Sequence, residues 1–258
     1  MCRLLGQISP EPASARHFIL KSDYSLIRQS NRKKGCLQRD GWGIGWHNDR
    51  GQAVVAKSPE PLYEDLDAVA DASGRAVSRV VIAHVRAASN PRGLDRAQLI
   101  NEASTQPFSD GAWIFAHNGT IHIPAETTKA LGPLRRKLKS LNDSEVYFYH
   151  LLKHLRRAGS VAQAAQNALL ELWDIWDSCK RRHREKAAPY SSVNALLTDG
   201  RSLHAVCHAA APGMTEFGVC NPRQPWTRMS FAKRGGKLIV ASENFDRVVI
   251  DCTPMFPI

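Results

Sequence analysis

At 258 residues the chain is long enough to bury a core of its own, and 43% apolar with 23% charged content excludes a disordered segment. No apolar run approaches the roughly 18 residues that cross a bilayer, and residues 1–8 are too short an apolar stretch for a secretory leader. A cytoplasmic protein with no membrane partner is therefore expected. The net charge of +11 raises nucleic acid as a partner, but the basic runs at 32–34, 135–139 and 180–184 carry no interleaved aromatic residues. Solvated loops and helix faces explain them more simply.

In chain order, the apolar run 3–8 predicts a buried strand, stopped by Pro10 and Pro12. Residues 13–20 predict a short helix, and 22–38 a polar, basic loop with some helix. Residues 40–46 alternate apolar side chains with glycines, which predicts a strand where other backbone passes close. Residues 53–57 pair with it across a turn at 48–51. The β-branched run 79–86 predicts a strand, and 113–117 predicts another that ends in an Asn118-Gly119 turn. A helix starts near Asn142, with Glu145 three residues on as in a capping box. A second helix covers 160–177, and 180–189 is an exposed loop. Residues 193–198 and 203–208 form a hairpin across Asp199-Gly200, and 237–242 forms a last strand. Strands, two helices, then strands imply an α+β fold with antiparallel sheets. No clear linker splits the chain, so residues 2–258 are read as one domain.

The six cysteines are scattered with no Cys-x-x-Cys pair, which argues against a disulfide framework and for mostly buried, reduced thiols. No metal cluster stands out among the ten histidines, as no helically spaced pair with a third ligand is evident, and no metal or cofactor is expected. Cys2 differs by position. Removal of Met1 would leave it with a free α-amine, whose pKa of about 7.7–8.0 allows it to take the thiol proton. By position alone it is equally a structural cysteine. Arg86 closes a strand, where a guanidinium suits a carboxylate or a surface ion pair. Asn118 and Gly119 offer an amide and a backbone N–H side by side, either an oxyanion hole or a turn. Asp143 opens a helix, to complement its dipole or to bind an ammonium group.

Met1-Cys2-Arg3-Leu4-Leu5-Gly6, Asp40-Gly41-Trp42-Gly43-Ile44, Ala83-His84-Val85-Arg86-Ala87-Ala88-Ser89, Phe115-Ala116-His117-Asn118-Gly119 and Asn142-Asp143-Ser144-Glu145 occur in that order. Together they resemble the class II glutamine amidotransferases, which are N-terminal-nucleophile hydrolases. Val240-Ala241-Ser242-Glu243 resembles a late strand of the stand-alone branch, which includes YafJ-like proteins and γ-glutamyl hydrolases. The resemblance implies a four-layer αββα sandwich of two antiparallel sheets. It also implies Cys2 as nucleophile, Asn118 and Gly119 as oxyanion hole, Arg86 for the substrate α-carboxylate and Asp143 for its α-amine. His84, Gly41, Trp42 and Ser89 complete the implied substrate-binding set. The match loosens after Arg86: the larger fused enzymes carry an aromatic residue and a Thr-His pair where this chain has Ala87, Ser89 and Asn90.

The activity so implied is cleavage of the γ-glutamyl amide of glutamine or a γ-glutamyl conjugate through a Cys2 thioester, releasing glutamate and ammonia or an amine. A partner synthetase or peptidase chain is one destination for the products. The alternative is a non-catalytic binding or scaffold protein that keeps the fold, which retention of Met1 would favour. A Cys–His protease is a weaker third reading.

Overall fold

The computed structural model describes residues 2–31, 37–210 and 224–243, and the backbone of 249–250. Its strands are β1 (Arg3–Ser14), β2 (Trp42–His47), β3 (Ala53–Ser58), β4 (Val77–Val85), β5 (Phe108–Asp110), β6 (Trp113–Ile121), β7 (Tyr190–Thr198), β8 (Leu203–Val206), β9 (Met229–Arg234), β10 (Lys237–Ala241) and β11 (Val249–Ile250). Its α-helices are α1 (Leu26–Asn31), α2 (Leu66–Arg75), α3 (Arg96–Leu99), α4 (Pro124–Ala130), α5 (Asp143–Leu155) and α6 (Val161–Cys179). None of the described helices is long and apolar enough to cross a membrane.

One sheet has the order β11-β9-β10-β1-β4-β2-β3 and the other β5-β6-β7-β8. Every neighbouring pair is antiparallel. Strand side chains alternate between faces, and this alternation sorts the core into layers. In β1 and β4, Leu5, Val81, Ala83 and Val85 join one apolar cluster with Phe18, Leu26, Val69 and Ala72 from the helical side. Their neighbours Leu4 and Ile82 point the other way and meet Ala116 and Leu196 of the second sheet. In β6 and β7, Phe115, Val193, Ala195 and Leu197 face Val146, Leu151, Ala164, Ala168 and Leu172 of α5 and α6. The result is the αββα order that the family resemblance implied.

Close approach of the sheets explains the glycine alternation in β2. A Cβ on Gly43 would meet the Gln106 carbonyl oxygen at 2.3 Å, and one on Gly45 would meet Ile114 at 2.6 Å.

Several expectations need correction. β1 continues through both prolines to Ser14. Its ladder with β4 is interrupted between Ile8 and Ala13, and its pairing with β10 ends at Ile8↔Leu238, so neither proline has to donate to a ladder. The helix expected at 13–20 is instead the end of that strand and a π-helical turn at His17–Lys21. Asn118-Gly119 is not a turn: β6 runs through it to Ile121, with Asn118 opposite Asn194 and Gly119 opposite Val193. Glu145 does not close a capping box onto Asn142. Its carboxylate accepts hydrogen bonds from the Lys139 and Ser140 backbone N–H groups at 3.0 and 2.8 Å and from the Ser140 hydroxyl at 2.7 Å. Cys2 and Cys179 are free thiols, but Cys207 is disulfide-bonded rather than reduced.

Candidate active site

The alternation that builds the layers also aims the polar residues. Counting by twos from Leu4, Ile82 and Ala116 brings Cys2, His84, Arg86 and Asn118 onto the faces that look between the sheets. All four are buried. The odd-numbered neighbours look outward, so His117 faces α5 while Asn118 faces the other sheet.

Cys2 is only 8% exposed and its thiol approaches the Ala87 carbonyl at 3.5 Å. Burial pushes its thiol pKa up, while the charge of Arg86 pulls it down and that of Asp143 raises it further. A cation and an anion thus both lie within electrostatic reach of the sulfur. The strand below is tightly held. Arg3 forms a buried ion pair with Glu243 at 3.1 Å and donates to the Cys2 carbonyl at 3.2 Å. Leu4 N–H donates to Ser242 Oγ at 2.8 Å, so the 240–243 segment anchors the start of the chain.

Arg86 is clamped on its backbone and its side chain. Its N–H donates to the Gly41 carbonyl at 2.8 Å and its carbonyl accepts from Asp40 N–H at 3.2 Å. The Asp40 carboxylate takes the Ala88 N–H at 2.8 Å, which fixes the turn beyond the strand. Gly41 has φ +120°, and a Cβ there would meet the Ser58 carbonyl oxygen at 2.8 Å. The guanidinium donates to Ser104 Oγ at 3.1 Å. Burial pulls its pKa down, and Cys2, Asp40 and Asp143 oppose that shift. A guanidinium remains charged in such a site.

Ser104 was not evident from sequence, yet it joins Arg86 to the helix that carries Asp143. Its carbonyl accepts from Asn142 Nδ2 at 2.7 Å, and Asn142 Oδ1 caps α5 by accepting Ser144 N–H at 2.7 Å. Asp143, the first residue of α5, accepts the Ile121 N–H at 2.8 Å. Burial raises its pKa to about 6, against the opposing effects of that hydrogen bond and of Arg86.

His117 and Gln106 hold the residue beside Asn118. Gln106 takes His117 N–H on Oε1 at 2.6 Å and donates Nε2 to the His117 carbonyl at 3.2 Å. The His117 ring donates from Nε2 to the Ser192 carbonyl at 3.0 Å, because that oxygen can only accept. Nδ1 then accepts from the Ser144 hydroxyl at 2.9 Å. Burial lowers the His117 pKa to about 4, so the ring is neutral and serves as a strut between β6 and α5. His84 lies beside it, also neutral, its pKa pushed to about 3 by burial and by the charge of Arg86.

Asn118 is 1% exposed, and its Nδ2 has no hydrogen-bond partner among the described residues. A buried donor without an acceptor costs about 1–3 kcal/mol, a cost recovered when a ligand oxygen arrives. Gly119 packs so closely on Ser192 that a Cβ would sit 1.9 Å from its carbonyl oxygen.

Of the implied substrate set, Trp42 faces the other way. Trp42 is buried in the apolar layer with Leu5, Leu26 and Val85, and its indole N–H donates to Asp65 at 2.9 Å. Ser89 is half-buried in the segment after the Arg86 turn.

Metal-ligand types gather in two places that the sequence reading missed. One is His150, His154 and Glu171; the other is Glu126, Cys179 and His183. His150 and His154 do have helical i,i+4 spacing, but the third member comes from the neighbouring helix α6.

The family model for glutamine amidotransferases class-II matches residues 1–243. A gamma-glutamyl-hercynylcysteine sulfoxide hydrolase of Mycolicibacterium smegmatis is 33% identical over 125 residues, 47% of this chain and 52% of that protein. The protein of the same name from Mycobacterium tuberculosis is 30% identical over 160 residues, 60% of this chain and 61% of that protein. The matched region therefore spans between 52% and 61% of the length of these relatives. Among solved structures, a glutamine aminotransferase class-II domain protein from Silicibacter pomeroyi superposes with a TM-score of 0.62 at 16% identity, covering 93% of this chain and 88% of that one. The glutamine phosphoribosylpyrophosphate amidotransferase of B. subtilis gives 0.55 at 15% identity, covering 93% of this chain and 42% of that one. These likenesses establish a shared fold.

Proposed function

The chain belongs to the class II glutamine amidotransferases, and we propose that it hydrolyses a γ-glutamyl amide with Cys2 as an N-terminal nucleophile after loss of Met1. The observation that carries this reading is the burial of Cys2, Arg86 and Asn118 on strand faces that look between the sheets, with the buried Asp143 carboxylate bonded to the end of the Asn118 strand at Ile121. A glutamyl head presents one carboxylate and one ammonium, and this site offers one buried cation, one buried anion and a buried thiol.

The steps follow from these groups. The α-amine freed at Cys2 takes the thiol proton, and the thiolate attacks the side-chain amide carbon. Asn118 Nδ2 and the Gly119 N–H receive the oxyanion. The carbon–nitrogen bond breaks, and the leaving ammonia or amine takes the proton. Water then cleaves the thioester, releasing glutamate and restoring the thiol. Arg86 holds the α-carboxylate and Asp143 the α-ammonium throughout. Ser104, Gln106 and His117 act as positioning residues.

The similarity to gamma-glutamyl-hercynylcysteine sulfoxide hydrolases favours a γ-glutamyl conjugate over free glutamine as substrate. Delivery of the product to a partner synthetase or peptidase chain belongs to the same proposal.

Cys2→Ala is expected to abolish turnover of glutamine and γ-glutamyl conjugates while its circular dichroism and melting curve stay those of the parent. Intact mass of the active protein is expected to lack Met1. Turnover retained in Cys2→Ala, or an active form that keeps Met1, overturns the mechanism, whereas a parent protein that keeps Met1 and turns over neither substrate leaves the binding or scaffold reading.

A further inference from the structure

Of the two metal-ligand clusters, one is already satisfied. The Glu171 carboxylate accepts from His150 Nε2 at 2.8 Å, His154 Nε2 at 2.7 Å and Lys153 Nζ at 2.5 Å. An ammonium group stands where a metal cation would have to enter, so this cluster is an ion-paired tie between α5 and α6.

The second cluster differs. Cys179 ends α6, His183 follows four residues later beyond a 3-10 turn at Lys180–Arg182, and Glu126 lies in the first turn of α4. One thiol, one imidazole and one carboxylate place their ligand atoms within 4.8 Å of one another. Glu126 Oε1 accepts from His183 Nε2 and from Arg182 Nη2, each at 3.2 Å, but Oε2 is buried and has no partner among the described residues. Arg182 is 64% exposed and can leave without being desolvated. Cys179 is a free thiol, 1% exposed.

We infer that Glu126, Cys179 and His183 form a zinc site that ties α4 to the end of α6. The sulfur–nitrogen–oxygen set matches the ligands this borderline-soft ion takes, and three protein ligands leave a fourth position for water. Zinc replaces the Cys179 proton, which passes to solvent, so affinity rises with pH. The site is separate from Cys2 and does not depend on the proposed hydrolysis.

The experiment titrates the intact protein with zinc alone, then with cobalt(II) as a spectroscopic substitute. One ion per chain is expected, with a thiolate-to-cobalt charge-transfer band in the near ultraviolet. The band is expected to persist in Cys2→Ala and in His154→Gln, and to vanish in Cys179→Ser. Glu126→Gln, a change at a partly exposed residue, serves if Cys179→Ser fails to fold. It is expected to weaken zinc binding by at least about tenfold, the lower end of what loss of an outer-shell partner costs. No stoichiometric binding, a band lost in Cys2→Ala or His154→Gln, or unchanged affinity in Glu126→Gln would overturn the inference.

Discussion

The end of the inter-sheet layer and the corner between α4 and α6 both gather buried polar groups, by opposite means. At the inter-sheet end, Cys2, Arg86, Asn118 and Asp143 come from distant segments. Three of them are held by neighbours from other segments: Arg86 by Gly41, Asp40 and Ser104, Asn118 through the Gln106 grip on His117, and Asp143 by Ile121 N–H. At the corner, Cys179 and His183 are four residues apart and only Glu126 comes from elsewhere. Strand register can orient groups that must meet a substrate in one geometry. A helix end supplies ligands for an ion that imposes its own geometry.

Beyond removal of the nucleophile, the largest expected effect at the inter-sheet end is that of Asn118→Ala. Loss of one oxyanion donor should lower kcat by about 10²–10³. It should not destabilise the fold, because the native amide donates to no group among the described residues. Steady-state kinetics with a denaturation curve check both. A kcat within threefold or so of the parent would remove Asn118 from the oxyanion hole.

Next comes Asp143. With its pKa near 6 in the free protein, it is neutral below that pH and anionic above it. Only the anion attracts an ammonium, so kcat/KM is expected to fall as pH drops through about 6. Asp143→Asn should cost about 10- to 100-fold in kcat/KM at pH 8, as loss of a charged hydrogen bond worth about 1.5–3 kcal/mol would, and should abolish that acid limb. A limb that survives the substitution would place the titrating group elsewhere.

The smallest effect tests the scaffold. Gly43→Ala puts a methyl where the Gln106 carbonyl oxygen already lies 2.3 Å from the built position. Separation of the sheets there should cost about 1–3 kcal/mol in urea unfolding. No loss of stability would show that the sheets do not meet as tightly as described.

Much of this was legible in the chain. Periodicity located β4, β7, α5 and α6 because each has a full apolar face. Motif chemistry put forward Cys2, Arg86, Asn118, Gly119 and Asp143 as candidates, and the structure buries Cys2, Arg86, Asn118 and Asp143. Other elements left weak signals. α2 buries only Val69, Ala72 and Ser73, and β5 has three residues, too few for a period to emerge. Asn118-Gly119 carries the signal of a turn, and the sequence alone could not show that pairing with β7 keeps it extended.

Local pattern by itself determined which residues could be strand, helix, nucleophile or grip, since propensity and side-chain chemistry belong to single residues and their near neighbours. Only the tertiary structure decided which of them meet. The alternation of β1, β4 and β6 turns Cys2, Arg86 and Asn118 inward, and the packing of α5 on β6 ties Asp143 to the end of β6 at Ile121. It also placed Trp42 in the opposite layer and brought Glu126 to Cys179. Such meetings depend on register and on contacts between residues far apart in the chain, which no short window of sequence contains.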